Sequence, residues 1–128
     1  MQFKKVASFY SIFIGIAMIG MWIFFYASGN IPELDTEPIR ISMHILAEVI
    51  TAVILILGGI GILVNKKWGK DIYLVSMGML IYTLVQSPGY FMETGDYGFV
   101  IIFGVLMVLS ITLTLKMLQF KNDYGLYS

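Results

Sequence analysis

The sequence has no cysteine, one histidine and few charged residues. Without cysteine the chain has no disulfides, no thiol redox chemistry and no Cys-ligated metal or iron–sulfur centre. Only 12% of its 128 residues are charged, whereas 59% are hydrophobic, and the mean hydropathy is +0.87. A soluble domain of this length cannot bury so much apolar surface. The composition therefore predicts a single integral membrane domain over 1–128.

Four apolar segments are long enough, or nearly so, to cross a bilayer. A helix rises about 1.5 Å per residue and the hydrocarbon core is about 30 Å thick, so about 20 residues span it. Backbone groups cannot remain unpaired in lipid, which makes helices the expected structure. The predicted spans are about 6–27, 39–64, 72–87 and 98–115. Pro88 and Gly89 are expected to end the third helix at Ser87.

The charged residues between the spans sort by sign. Lysines lie at the N-terminus, in the second loop and in the C-terminal segment, at Lys4, Lys5, Lys66, Lys67, Lys70, Lys116 and Lys121. The first and third loops carry acids, at Glu33, Asp35, Glu37, Glu93 and Asp96, with Arg40 as the only basic residue near them. The positive-inside rule then predicts cytoplasmic termini and a plasma (inner) membrane location. Short loops favour an all-α, up-down-up-down four-helix bundle.

The stretch "MHILAE", residues 43–48, sets one histidine and one acid into an apolar span. Residues four apart share a helix face, so Arg40, His44 and Glu48 form one stripe. By span length, Glu48 lies about one turn inside the outer boundary. A charged carboxylate costs about 2.5–3.5 kcal/mol at mid-membrane and less near the boundary. We therefore expect Glu48 to pair with His44 or Arg40, or to be protonated.

Polar and aromatic residues of other spans are expected at the level of Glu48. Tyr82 and Gln86 lie towards the outer end of the third span, while Trp22 and Tyr26 end the first. The pattern predicts an outward-facing, aromatic-lined polar pocket centred on Glu48. The predicted ligand-binding residues are His44, Glu48, Arg40, Tyr82, Gln86, Trp22 and Tyr26. No catalytic or metal-binding residue is assigned, and the cofactor is unknown.

Two resemblances arise from these residues. The stretches "MHILAE", "LILGGIGILVNKKWGK" and "GMLIYTLVQSPGY" resemble small uncharacterised four-helix membrane proteins of prokaryotes, loosely DoxX-like. That resemblance implies a four-helix bundle. "ILAEVIT", residues 45–51, is similar to the stretch around the essential Glu of small multidrug resistance transporters. It implies that Glu48 binds protons and cationic substrates in turn, although that family carries its Glu on the first helix.

Several functions fit this pattern. The main prediction is a non-enzymatic membrane protein that binds a small or lipophilic ligand, or an accessory subunit of a membrane complex. A proton-coupled transporter using Glu48 is one alternative, and a His44–Glu48 pair that only holds the second span against the third is another. A metal site is a weaker reading, because three protein ligands are usual and only one His is present. Expected partners are membrane lipids, a second copy or a larger complex, and no nucleic acid.

Overall fold

A computed structural model describes residues 2–119, apart from the side chains of Gln2 and Tyr90. Over these residues the fold is all-α, with the elements α1 (Gln2–Ala27), α2 (Glu33–Thr36), α3 (Pro38–Leu63), α4 (Gly69–Thr94) and α5 (Tyr97–Gln119). All except α2 are long and apolar enough to cross a membrane. The prediction of a helical membrane protein with four potential spans is thereby confirmed. Lys121, one of the lysines used for the predicted orientation, lies outside the described residues.

The third long helix does not end at Ser87. The sequence-based expectation is wrong, because α4 passes through Pro88 and continues to Thr94. Proline removes one backbone hydrogen bond, and membrane helices tolerate this where neighbouring groups compensate. The helix ends instead at Gly95, which adopts a left-handed conformation with φ of 81°.

The three turns that follow α1, α3 and α4 share the same backbone geometry. Each contains a residue with positive φ, namely Gly29 at 72°, Asn65 at 58° and Gly95 at 81°. The next residue donates its backbone N–H to the carbonyl oxygen five positions earlier, at 2.8 or 2.9 Å. This Schellman geometry satisfies carbonyl groups that a helix end leaves without partners. Glycine, and less often asparagine, adopts the conformation at low cost.

α3 packs between α1 and α4, and glycines bring the three backbones close together. A Cβ atom built on Gly59 would lie 2.8 Å from the Ser8 carbonyl oxygen of α1. One on Gly58 would lie 2.8 Å from the backbone nitrogen of Tyr73 in α4. Since real Cβ atoms almost never approach so closely, only glycine fits at these two positions without displacement of a neighbouring helix. Such close packing is typical of membrane helices.

α5 packs on α4 and reaches α1 through side chains. The Tyr10 hydroxyl donates to the Leu106 carbonyl oxygen at 3.2 Å and lies 2.7 Å from Ser110 Oγ. Lys116 Nζ lies 5.6 Å from the centre of the Phe3 ring. Lys4 Nζ donates to Asn65 Oδ1 at 2.6 Å. The start of α1, the turn after α3 and the end of α5 therefore meet, and we call this region the lysine end.

Candidate functional site

The opposite region of the bundle contains a cavity of about 570 Å³. Its walls come from the last turns of α1 and α4, the first turns of α3 and α5, and the segment 30–37 that includes α2. We call this region the acidic end, because its cavity is lined by Glu33, Glu37, Glu48 and Asp96. The volume falls within the range of about 300–1,000 Å³ that is common for small-molecule sites.

Glu48 is the buried acid of this cavity. It is only 4% exposed, and both of its carboxylate oxygens have partners. The Trp22 indole N–H donates to Glu48 Oε1 at 2.8 Å. His44 Nε2 lies 3.3 Å from Glu48 Oε2, one helical turn earlier on α3. The carboxylate is thus held on one side by α1 and on the other by its own helix.

Trp22 and His44 also contact each other. Their ring centres lie 5.8 Å apart with the planes at 75°, an edge-to-face arrangement. Phe25, one turn further along α1, meets Trp22 in the same manner at 6.0 Å. Edge-to-face aromatic pairs are favourable because a positive ring edge meets a negative ring face. Trp22, His44 and Glu48 therefore form a mutually supported group in the cavity wall.

Arg40 does not pair with Glu48. Its guanidinium NH1 lies 3.0 Å from Glu37 Oε1, and both side chains are at least half exposed. The physical reason is distance, because eight residues of helix separate Arg40 from Glu48 by about 12 Å along the axis. Of the two partners that the sequence offered, His44 is the one adjacent to Glu48.

The predicted site residues divide into two groups. The residues that line the cavity are Trp22, Arg40, His44, Glu48 and Gln86. Tyr26 and Tyr82 are not in the wall, and they are 71% and 69% exposed. The buried side of α4 includes Leu80 and Leu84, and Tyr82 lies about 160° around the helix from both at 100° per residue. This placement separates Tyr82 from Glu48.

Residues 1–126 match the family described as Domain of unknown function (DUF8058). The chain belongs to this family. No curated protein and no solved structure matches the chain. The DUF8058 match gives no link to DoxX-like proteins or to small multidrug resistance transporters, so both resemblances stay predictions.

Sequence reasoning missed much of the cavity wall of this DUF8058 protein. Glu33, Glu37 and Asp96 served there only as markers of orientation, yet all three line the cavity. Phe91 and Asp96 lie in the turns after Pro88, where α4 was expected to have ended. The signal that could have found the acidic wall was the concentration of acids in the first and third loops. The loop acids and the buried Glu48 share one cavity only once the four long helices have packed, and the sequence alone does not give that packing.

The chemistry of the cavity is acidic and aromatic. Four carboxyl groups and one guanidinium line the cavity, which gives three net negative charges when all four carboxyl groups are ionised and His44 is neutral. Aromatic side chains from three helices complete the wall, namely Trp22, Phe25, Phe91, Phe99 and Phe103. Among residues 2–119, no three His, Asp or Glu side chains converge as a metal ion would require. The carboxylates are instead distributed around the space.

Proposed function

We propose that this protein binds a small or lipophilic ligand in the cavity at the acidic end, with Glu48 as the central charge. The observation that carries the proposal is a buried carboxylate, fixed by Trp22 and His44, in the wall of a cavity of about 570 Å³. A few fixed polar groups in a largely apolar wall are typical of ligand sites. An ionisable group inside a membrane span is itself a marker of function.

The ligand-binding proposal accounts for more than a structural role of Glu48 does. Interhelix glue between the second and third spans requires Glu48 to contact α4, but its described partners lie on α1 and on α3 itself. A structural pair also gives no reason for the cavity of about 570 Å³ beside the carboxylate. The cavity therefore favours binding over a purely structural pair.

The proposed arrangement in the membrane is up-down-up-down, with both termini and the lysine end in the cytoplasm of the cell and the cavity facing outward. The contacts of Lys4 with Asn65 and of Lys116 with Phe3 support lysines grouped at one end, as the positive-inside rule requires for the plasma membrane. The exposed apolar bands of the long helices then contact lipid, and a second copy or a larger complex can cover part of them.

Single cysteines test this orientation cleanly because the chain has none of its own. Asp35→Cys at the acidic end and Lys67→Cys at the lysine end are labelled in intact cells with a maleimide that does not cross membranes. The proposal predicts labelling of Asp35→Cys alone. Labelling of Lys67→Cys alone would show that the orientation is the opposite of the proposed one.

Native mass spectrometry of gently extracted protein tests the binding proposal. The wild type is compared with Glu48→Gln, which keeps the side-chain volume and removes the charge. Glu93→Gln is the matched control, because Glu93 is an exposed acid of the same region that does not line the cavity. A bound species that is present in the wild type and Glu93→Gln, but lost in Glu48→Gln, supports the proposal. Equal occupancy in all three proteins, or bare chains in all three, contradicts it.

A further inference from the structure

We propose that the cavity at the acidic end takes an organic cation, with an ammonium group held between the carboxylates and the aromatic wall. This inference rests on the proposed function, because it names the class of ligand for the same cavity. It follows from the charges and rings that line the cavity and from the way in which they are distributed.

The charge of the cavity wall determines the sign of the charge that a ligand should carry. Glu33 and Glu37 come from the segment before α3, Asp96 from the turn before α5, and Glu48 from within α3. The one guanidinium, Arg40, is already paired with Glu37 at 3.0 Å. An anion entering this space would meet a surplus of negative charge, which is costly. A cation would be attracted from several sides.

The aromatic wall sets the type of cation. Phe91 of α4 stacks on Phe99 of α5 with ring centres 4.7 Å apart, and it lies 5.6 Å from Phe103. Together with Trp22 on the other side of the cavity, these rings give faces and edges against which an alkylammonium group can pack. Aromatic side chains recognise quaternary ammonium groups because the negative ring face attracts a weakly hydrated cation.

A compact metal ion fits this wall less well than an organic cation does. Divalent ions require several oxygen ligands at about 2.0–2.6 Å from one point. No three acidic or histidine side chains in the described part of the chain converge in this way. Dispersed carboxylates and large apolar surfaces suit a bulky cation whose charge is spread over methyl or methylene groups.

An ammonium group can reach this cavity from water or from a lipid headgroup, and the test separates these sources. The protein carries two tryptophans, Trp22 and Trp68. Trp68 lies in the turn at the lysine end, so a Trp68→Phe background leaves Trp22 as a single fluorescent reporter in the cavity wall. The soluble probes are benzyltrimethylammonium and its neutral isostere neopentylbenzene. The lipid probes are dihexanoylphosphatidylcholine and dihexanoylphosphatidylglycerol.

We expect benzyltrimethylammonium to change Trp22 fluorescence saturably and neopentylbenzene to do so at least about tenfold more weakly, because only the former is attracted by the charges and rings. Glu48→Gln is expected to weaken benzyltrimethylammonium binding by about tenfold or more. Asp96→Asn is expected to weaken it by about twofold to threefold, since an exposed charge is screened by water and salt. Glu93→Gln is expected to leave binding unchanged. The Asp96→Asn variant protects the test against misfolding of Glu48→Gln.

The outcomes separate this inference from the proposed function. Saturable binding of phosphatidylcholine, but not of phosphatidylglycerol or of the soluble ammonium probe, supports the inference and identifies a headgroup as the source. Equal binding of neopentylbenzene and benzyltrimethylammonium overturns the cation, yet leaves a ligand-binding cavity. If no probe binds, the cation is overturned, and native mass spectrometry decides the proposed function independently.

Discussion

The two ends of the bundle differ in how tightly the four long helices pack. In these helices, the buried residues that the structure describes lie within 7–18, 48–62, 69–84 and 110–117. These ranges fill the lysine half. Among the described residues outside the helices, Ile31 at the acidic end is the only buried one. Glu48 lies at the boundary between the two halves. The closely packed half thus supports a loosely packed half that contains the cavity.

This division separates stability from function. Gly58 and Gly59 bring three helices together in the lysine half. The buried Ser11 and Ser76 hydroxyls there donate to nearby backbone, and Ser110 bonds to Tyr10, whereas Ser8 Oγ and Tyr73 OH have no partner among the described residues. In the acidic half, charged and aromatic groups face open space. Substitutions in the lysine half should change the free energy of unfolding alone, whereas those in the cavity wall should also change binding.

The largest effect is expected where α3 meets α4. Gly58→Ala puts a Cβ atom 2.8 Å from the Tyr73 backbone, which must force the helices apart and destabilise the fold by about 1–3 kcal/mol. Gly78→Ala is the matched control, because a Cβ there meets nothing within 4 Å and helix propensity favours Ala by about 1 kcal/mol. Thermal unfolding in detergent should show a lower midpoint for Gly58→Ala alone. Equal midpoints for both variants would show that the close contact at Gly58 does not contribute to stability.

The next effect concerns the contact between Trp22 and Glu48. Trp22→Phe removes the indole N–H and leaves a buried carboxylate with one partner fewer, at a cost of about 1–3 kcal/mol. In a Glu48→Gln background the same change should cost less, because no charged group is then left without its donor. A double-mutant cycle of unfolding free energies measures the coupling. Strict additivity would show that the contact contributes nothing.

A smaller effect is expected at the end of α4. Gly95→Ala places a side chain at φ of 81° and should destabilise the protein by about 1 kcal/mol, because L-residues resist this conformation. Gly98→Ala is the control, since Gly98 lies in the first turns of α5 without positive φ. The unfolding midpoint of Gly95→Ala should therefore be lower than that of Gly98→Ala. An unchanged midpoint for Gly95→Ala would mean that the left-handed turn is not needed to end α4.

The smallest effect on stability is expected for Arg40→Gln. The ion pair of Arg40 with Glu37 is exposed, and such pairs contribute about 0–1 kcal/mol. Removing the guanidinium also makes the cavity more negative. Benzyltrimethylammonium should therefore bind about twofold more tightly at low salt, with the difference lost at high salt. Weaker binding in titrations of Trp22 fluorescence would show that Arg40 supports the site instead of opposing it.

The number of long helices could be predicted from the sequence because apolar runs in lipid have one dominant solution. The end of α4 could not, since Pro88 reads as a helix end in isolation, although Gly95 carried the correct signal. The exposed position of Tyr82 could not be predicted for a related reason. In a membrane helix both the lipid side and the core side are apolar, so the sequence alone does not identify the buried side of α4.

Within the candidate site, local spacing predicted one contact and left the other to tertiary packing. His44 and Glu48 are four residues apart on one helix, so their proximity follows from helix geometry. Trp22 was expected only at the same depth as Glu48, and its hydrogen bond depends on how α1 packs against α3. Glu33, Glu37 and Asp96 line the cavity from the segments that follow the positive-φ turns at Gly29 and Gly95.

The most direct test of the central claim compares one substitution in each half by native mass spectrometry. Glu48→Gln alters the cavity wall, whereas Ser76→Ala removes a fully buried hydroxyl of the lysine half that bonds to the Tyr73 carbonyl oxygen at 2.8 Å. We expect a bound species in the wild type and in Ser76→Ala, and its loss in Glu48→Gln. Loss in Ser76→Ala with retention in Glu48→Gln would contradict it, and the ligand site would have to be sought in the closely packed half.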